Sequence, residues 1–177
     1  MIIFDLDGTL ADCEHRRHFV DASYRDDCYE PFPETLTQKK GWYYKDILLM
    51  SHPPQAKRFC PDWKSFYEAC DQDEPILSPI HILEYIGEGT EYGSDTPWVD
   101  YDNIEIWSGR CESVRKKTEK WIYNNIKYFN QSNLKLKMRP IGDSTPDDEL
   151  KERWLDEAIS DGKQVDMVFD ASEKFGR

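Results

Sequence analysis

Two aspartates one residue apart, Asp5 and Asp7, follow directly on the apolar run Ile2-Ile3-Phe4 and are themselves followed by Gly8-Thr9-Leu10. A β-prone apolar run ending in a carboxylate reads as a buried parallel strand, and open α/β sheets bind ligands in the crevice at the carboxyl ends of such strands. Asp5 is therefore expected to point into that crevice, with Asp7 on the first turn beyond it. The expected fold class is α/β, with a three-layer Rossmann-like parallel sheet.

The same pair suggests a reaction. Hydrolysis of a phosphate monoester needs a nucleophile, a proton donor for the leaving oxygen and a counter-charge for the phosphoryl group. A carboxylate at Asp5 can attack to form an aspartyl-phosphate, which splits one hard step into two easier ones. A second acid at Asp7 can protonate the leaving alcohol and later deprotonate water. All-oxygen surroundings crowded with negative charge suit Mg²⁺, which takes one or two carboxylates plus substrate oxygens and keeps several waters. A calcium loop is disfavoured, because its acids continue through about a dozen residues to a closing Glu, whereas here Leu10-Ala11 follow.

Composition bounds the rest. A chain of 177 residues suits one domain with room for a small insertion. Mean hydropathy of -0.81 and the lack of an apolar run approaching ~18 residues argue against a membrane span. With Met1 only four residues before Asp5, a cytoplasmic location is expected. The five cysteines, Cys13, Cys28, Cys60, Cys70 and Cys111, form no CxxC pair and read as reduced thiols. A formal charge of -12 opposes extended wrapping of duplex nucleic acid but tolerates one phosphate in a local basic pocket. The sequence does not set the oligomeric state.

Downstream, helices are expected from about 62 to 70, with Trp63, Phe66, Tyr67 and Cys70 on the buried face, and from about 79 to 87 on Ile80, Leu83 and Ile86. A strand over 103–107 should end in Ser108-Gly109-Arg110 ahead of a helix carrying Val114, Thr118, Trp121, Ile122 and Ile126. A hydroxyl at such a strand end, beside a helix N-terminus, can donate to phosphate. Arg110 adds a planar donor fork for phosphate oxygens, or else makes a surface ion pair. A strand over 134–138 then leads through a Pro- and Gly-bearing loop to a helix on Leu150, Trp154, Leu155, Ala158 and Ile159. Lys151, one turn into that helix, would reach Asp5 and the phosphate, offsetting the repulsion between two anions. Asp147 lies four residues before it and can pair with it, an arrangement equally open to a plain surface salt bridge.

The motif DLDGTL resembles the first motif of the haloacid dehalogenase-like phosphatase superfamily. The succession DLDGTL, IWSGR, MRPIGDSTPDDELKERWL and MVFDASEKFGR resembles one branch in particular: the 3′-phosphatase domain of polynucleotide kinases and its stand-alone phage-type relatives. Matches within it include Asp12, His15, Arg16, His18, Asp62-Trp63, Arg115, Thr118, Trp121 and residues 147–154. The resemblance implies Asp5 as nucleophile, Asp7 as acid/base, and Ser108 and Lys151 as phosphate ligands. Arg110, Arg139, Gly109 and Asp147 would support the substrate pocket, and Thr9 would hold the loop. It also implies Mg²⁺ on Asp5, Asp7 and Asp170, with the Leu6 carbonyl as a further ligand. The implied substrate is a 3′-phosphate at a nucleic-acid end. A 5′(3′)-nucleotide monophosphatase and a non-catalytic nucleotide-binding module are the other readings. One departure is plain: the branch ends its fourth motif in two adjacent acids, while here Asp170 is followed by Ala171.

Residues 1–20 and 61–177 are thus expected to form the phosphatase core, and 21–60, rich in Pro, Tyr and charge, a cap-like insertion after the first motif. Trp42, Tyr43 and Tyr44 within it offer base-stacking surfaces or a small core of their own. His15 and His18, beside Arg16 and Arg17, read as substrate contacts or helix surface ahead of a zinc pair.

Overall fold

Ile2, Ile3 and Phe4 are buried and form strand β1 (Ile2–Asp5). In this computed structural model residues 1–21, 60–87 and 104–171 are described. The elements that follow are β2 (Ala11–Asp12), α1 (Trp63–Glu68), β3 (Glu74–Pro75) and α2 (Leu77–Gly87). Then come β4 (Ile104–Cys111), α3 (Arg115–Asn125), β5 (Leu136–Arg139), α4 (Asp147–Ser160) and β6 (Met167–Phe169). The chain divides into two compact units, residues 1–14 with 67–177, and residues 15–66.

In the first unit β1, β4, β5 and β6 make a four-stranded parallel sheet in the order β5-β4-β1-β6. The chain runs outward from β1 through β4 to β5, then returns to the other side of β1. That reversal opens a crevice at the carboxyl ends of β1 and β6, where open parallel sheets bind ligands. The fold class expected from the sequence is therefore present as an α/β parallel sheet flanked by helices.

The period of two along a strand sorts β1 between two cores. Ile2 and Phe4 join Ile104, Ile106, Ile80, Leu83, Trp121 and Ile122 on the side of α2 and α3. Met1 and Ile3 join Trp107, Leu150, Trp154 and Ala158 on the side of α4. Each such side chain contributes about 1.5–3 kcal/mol by leaving water. Phe4 stacks on Phe169 with ring centroids 4.4 Å apart, which ties β1 to β6. Asp5 has the parity of Ile3, so the carboxylate belongs to the α4 side.

Some sequence expectations shift. The strand expected over 103–107 runs on to Cys111, with a register irregularity between Ser108 and Cys111. Ser108, Gly109 and Arg110 thus lie inside β4 rather than after it. Ile159 is 56 % exposed, because the inner stripe of α4 is Leu150, Lys151, Trp154 and Ala158 and position 159 is out of phase with it. Trp63 is 52 % exposed, and α1 carries no fully buried residue.

In the second unit, Asp62 caps α1, its carboxylate accepting from Ser65 N at 3.0 Å and Ser65 Oγ at 2.7 Å. Arg16 donates to Phe66 O at 3.3 Å and lies over the Phe66 ring. His18 Nδ1 donates to His15 O at 2.9 Å. Most of the expected insertion, with Trp42, Tyr43, Tyr44 and Cys28, lies outside the described residues.

Candidate active site

Beyond β1 the chain must turn at once, and Gly8, with φ +86°, takes the left-handed conformation that side chains resist. The Leu6 carbonyl closes that turn by accepting from Leu10 N at 2.9 Å and Ala11 N at 2.8 Å. With two donors on it, this carbonyl holds the loop closed. Thr9 sits where it can hold the loop: its hydroxyl donates to Asp5 Oδ2 at 3.4 Å and accepts from Ala171 N at 2.9 Å. Thr9 thereby ties the turn after β1 to the residue following Asp170.

Lys151, itself buried, is the centre of a charge cluster. Its Nζ is 2.7 Å from Asp5 Oδ1, 2.7 Å from Asp147 Oδ2 and 3.2 Å from Asp170 Oδ2. The helical spacing of four brings Asp147 and Lys151 onto one face, and the packing of Leu150 and Trp154 turns that face to the sheet. Burial pushes the Asp5 carboxyl up to about 7, against the lowering effect of Lys151, and Asp170 and Asp7 push the same way as burial. For Lys151 burial opposes the charge, but Asp5 and Asp147 outweigh it and hold the ammonium above the usual lysine range. These two directions pull against each other, since a protonated Asp5 would grip the ammonium less. Lys151 keeps Asp147 and Asp170 in either case, so it stays charged, and burial decides Asp5.

Asp7 faces a different group. Arg110 Nε lies 3.0 Å and 3.1 Å from its two carboxylate oxygens, and Arg110 Nη2 donates to Asp7 Oδ1 at 2.8 Å. Ser108 Oγ donates to Asp7 Oδ2 at 3.2 Å and accepts from Arg110 N at 3.1 Å. Both β4 residues expected to hold phosphate are thus turned to Asp7, and both are fully buried. Arg110 also meets Asp73, a carboxylate the sequence reading did not single out, at 2.6 Å. Asp73 stands in an acidic run, Asp71-Gln72-Asp73-Glu74, with no periodicity to mark it as buried. Its one local signal is the extended Glu74-Pro75 pair that follows.

At the rim, Arg139 donates from Nε to Gly109 O at 2.8 Å, from Nη1 to Thr145 O, and from Nη2 to Asp147 Oδ1 at 3.3 Å. Arg139 thus anchors the start of α4 against β4. The Tyr67 hydroxyl also reaches Gly109 O, at 3.5 Å. A side chain at Gly109 has no room, since its Cβ would overlap Asp147 Oδ1 and Cγ. Gly109→Ala is expected to turn Asp147 away from Lys151 and Arg139 at a cost of about 1–3 kcal/mol. Urea unfolding at pH 7 checks this, and Asp147→Ala should remove most of the penalty.

The expected site residues thus fall into two adjoining groups. Asp5, Thr9, Lys151, Asp147 and Asp170 gather at the ends of β1, β6 and α4, while Asp7, Ser108 and Arg110 gather with Asp73. Among the described residues no three His, Cys, Asp or Glu side chains stand close enough together to hold a metal ion. Asp5 and Asp170 nevertheless fit a hard cation chemically. Both are carboxylates at neighbouring strand ends, and Asp5 is raised by its burial and by its acidic neighbours, the mark of negative charge short of compensation. Asp7, the third ligand expected, is turned to Arg110.

Cys60 and Cys111 are free thiols. No helix of the described residues is long and apolar enough to cross a membrane. Comparison of the chain with protein-family models, with characterised proteins and with solved structures gave no match.

Proposed function

We propose that this chain is a Mg²⁺-dependent phosphomonoesterase acting through an aspartyl-phosphate, with a 3′-phosphate at a nucleic-acid end as its substrate. The observation that carries this reading is Asp5: a buried carboxylate at the end of β1, 2.7 Å from the Lys151 ammonium and sharing it with Asp170. A lysine so placed offsets the repulsion between an anionic nucleophile and an anionic substrate. Asp5 attacks phosphorus, and the ester P–O bond breaks as the leaving oxygen takes a proton from Asp7. Asp7 then removes a proton from water, which attacks the same phosphorus, and phosphate leaves as the Asp5 carboxylate is restored.

Asp5 and Asp170 are the residues that would hold Mg²⁺, which when bound supplies counter-charge to the phosphoryl oxygens. Ser108 and Arg110 serve this reaction through Asp7, and Arg139 and Asp147 by shaping the rim. The resemblance of DLDGTL and its downstream motifs to the 3′-phosphatase branch supports the choice of substrate.

The test is Mg²⁺-dependent phosphate release from 3′- and 5′-phosphorylated mononucleotides and oligonucleotides. Release is expected fastest from the oligonucleotide 3′-phosphate, weakening as salt rises. Preference for free nucleotides with little salt dependence would make the protein a nucleotide monophosphatase. Nucleotide binding without release from any ester would make it a binding module.

A further inference from the structure

Arg110 Nη2 carries two hydrogens, and the two carboxylates it meets take one each: Asp7 Oδ1 at 2.8 Å and Asp73 Oδ2 at 2.6 Å. The Nε edge then has one orientation left, and it faces Asp7. Arg110 and Asp73 are both fully buried at the side chain, so neither is held by solvent. Asp73 is itself fixed by its backbone. Trp121 Nε1 donates to Asp73 O at 2.7 Å. The next two residues form β3, which pairs with β2 directly after the first loop, and Ile76 N donates to Leu10 O at 2.9 Å. The segment bearing Asp73 is thereby fastened to the turn bearing Asp7.

We propose that Asp73 is a positioning residue for the phosphatase reaction, holding the Arg110 guanidinium edge-on to Asp7 and so fixing where the acid/base stands against the leaving oxygen. This rests on the function proposed above. A guanidinium bound to Asp7 alone can swing about its stem toward a nearby phosphate; one shared with a buried second carboxylate cannot. Two carboxylates on one cation also match the Arg110 charge inside the protein. A planar fork of five donors is the side chain that can bridge two carboxylates in this way, which a lysine would not reproduce.

The experiment compares Asp73→Asn with wild type on two esters, a nucleoside 3′-phosphate, whose alkoxide needs a proton to leave, and p-nitrophenyl phosphate, whose phenolate does not. Expected is a fall in kcat of about 100-fold on the nucleotide and less than about tenfold on the aryl ester, with KM within about threefold. Equal losses on both esters, or a change confined to KM, would overturn the proposal. In an Arg110→Gln background, adding Asp73→Asn should change kcat less than about twofold, because Asp73 acts through Arg110. A further multiplicative loss there overturns it, and this comparison stands even when Asp73→Asn alone does not fold.

If wild type releases phosphate from neither ester, the proposed function fails and the positioning claim is decided by nitrogen NMR of the Arg110 Nε–H. Slow exchange with solvent in wild type, lost in Asp73→Asn, supports the clamp; an unchanged signal overturns it.

Discussion

Asp5→Asn is expected to melt higher than wild type at pH 8 while losing phosphate release by about 10⁴-fold or more, the scale of a lost nucleophile. The two effects share a cause. Asp5 is pushed up to about 7 from an ordinary 3.8, first by burial and then by Asp170 and Asp7. Between those values the folded chain keeps a proton that the unfolded chain has released, so stability falls as pH rises through that window. Below about pH 4 both states are protonated and Asn changes little. Above about pH 7 wild type carries the full cost, and at 1.36 kcal/mol per tenfold its ceiling is about 4 kcal/mol. Asparagine keeps the shape and removes the charge. Melting temperatures at pH 4 and pH 8 check this: a gain confined to the higher pH is the expected result, and a loss there would show that the Lys151 contact outweighs burial. Added Mg²⁺ should raise the wild-type melting temperature at pH 8 and do so less in Asp5→Asn, since a ligand that binds only the folded state stabilises it.

What the sequence revealed and what it hid follow from how local each signal is. Asp5 was legible because an unbroken apolar run, Ile2-Ile3-Phe4, can only be buried, and burial fixes where the next side chain goes. Lys151 was legible because the spacing of Leu150, Trp154 and Ala158 sets the phase of α4, and Asp147 follows by one turn. The same phase argument failed at Ile159, where a hydrophobic residue beside the stripe was counted into it. Ser108 and Arg110 were found, but not the carboxylates they meet. A Ser-Gly pair reads as the end of a strand, yet β4 runs past it with an irregular register, and a buried arginine takes the nearest carboxylates. Those carboxylates, Asp7 and Asp73, are 66 residues apart in a chain where β2 and β3 pair through only two residues each. No periodicity announces a contact of that kind, which arises from tertiary pairing alone.

Lys151→Met should have the opposite sign to Asp5→Asn in stability, and a comparable effect on activity. Methionine keeps an apolar stem but leaves Asp5, Asp147 and Asp170 around a site with no ammonium. Removing one partner from a buried ionic group costs about 3–5 kcal/mol, because the charge left behind has lost its compensation. Lys151 is held above the usual lysine range, so its contribution is complete below about pH 10 and wanes only as pH rises through its folded value. Any pH dependence of the loss between pH 4 and pH 8 therefore comes from the carboxylates. Asp5, already raised, protonates first on acidification, so the loss should be largest at pH 8 and shrink toward pH 4. Lys151→Met combined with Asp5→Asn should be more stable at pH 8 than Lys151→Met alone, because one of the stranded charges is gone; residues in direct contact couple in this way. Urea unfolding of the four proteins at both pH values decides it. A loss equal at pH 4 and pH 8 and additive in the double variant would mean that Lys151 stabilises the chain by packing its stem against α4. The charge pattern of Asp5, Asp147 and Asp170 would then have no part in holding β1 and β6 together at the crevice.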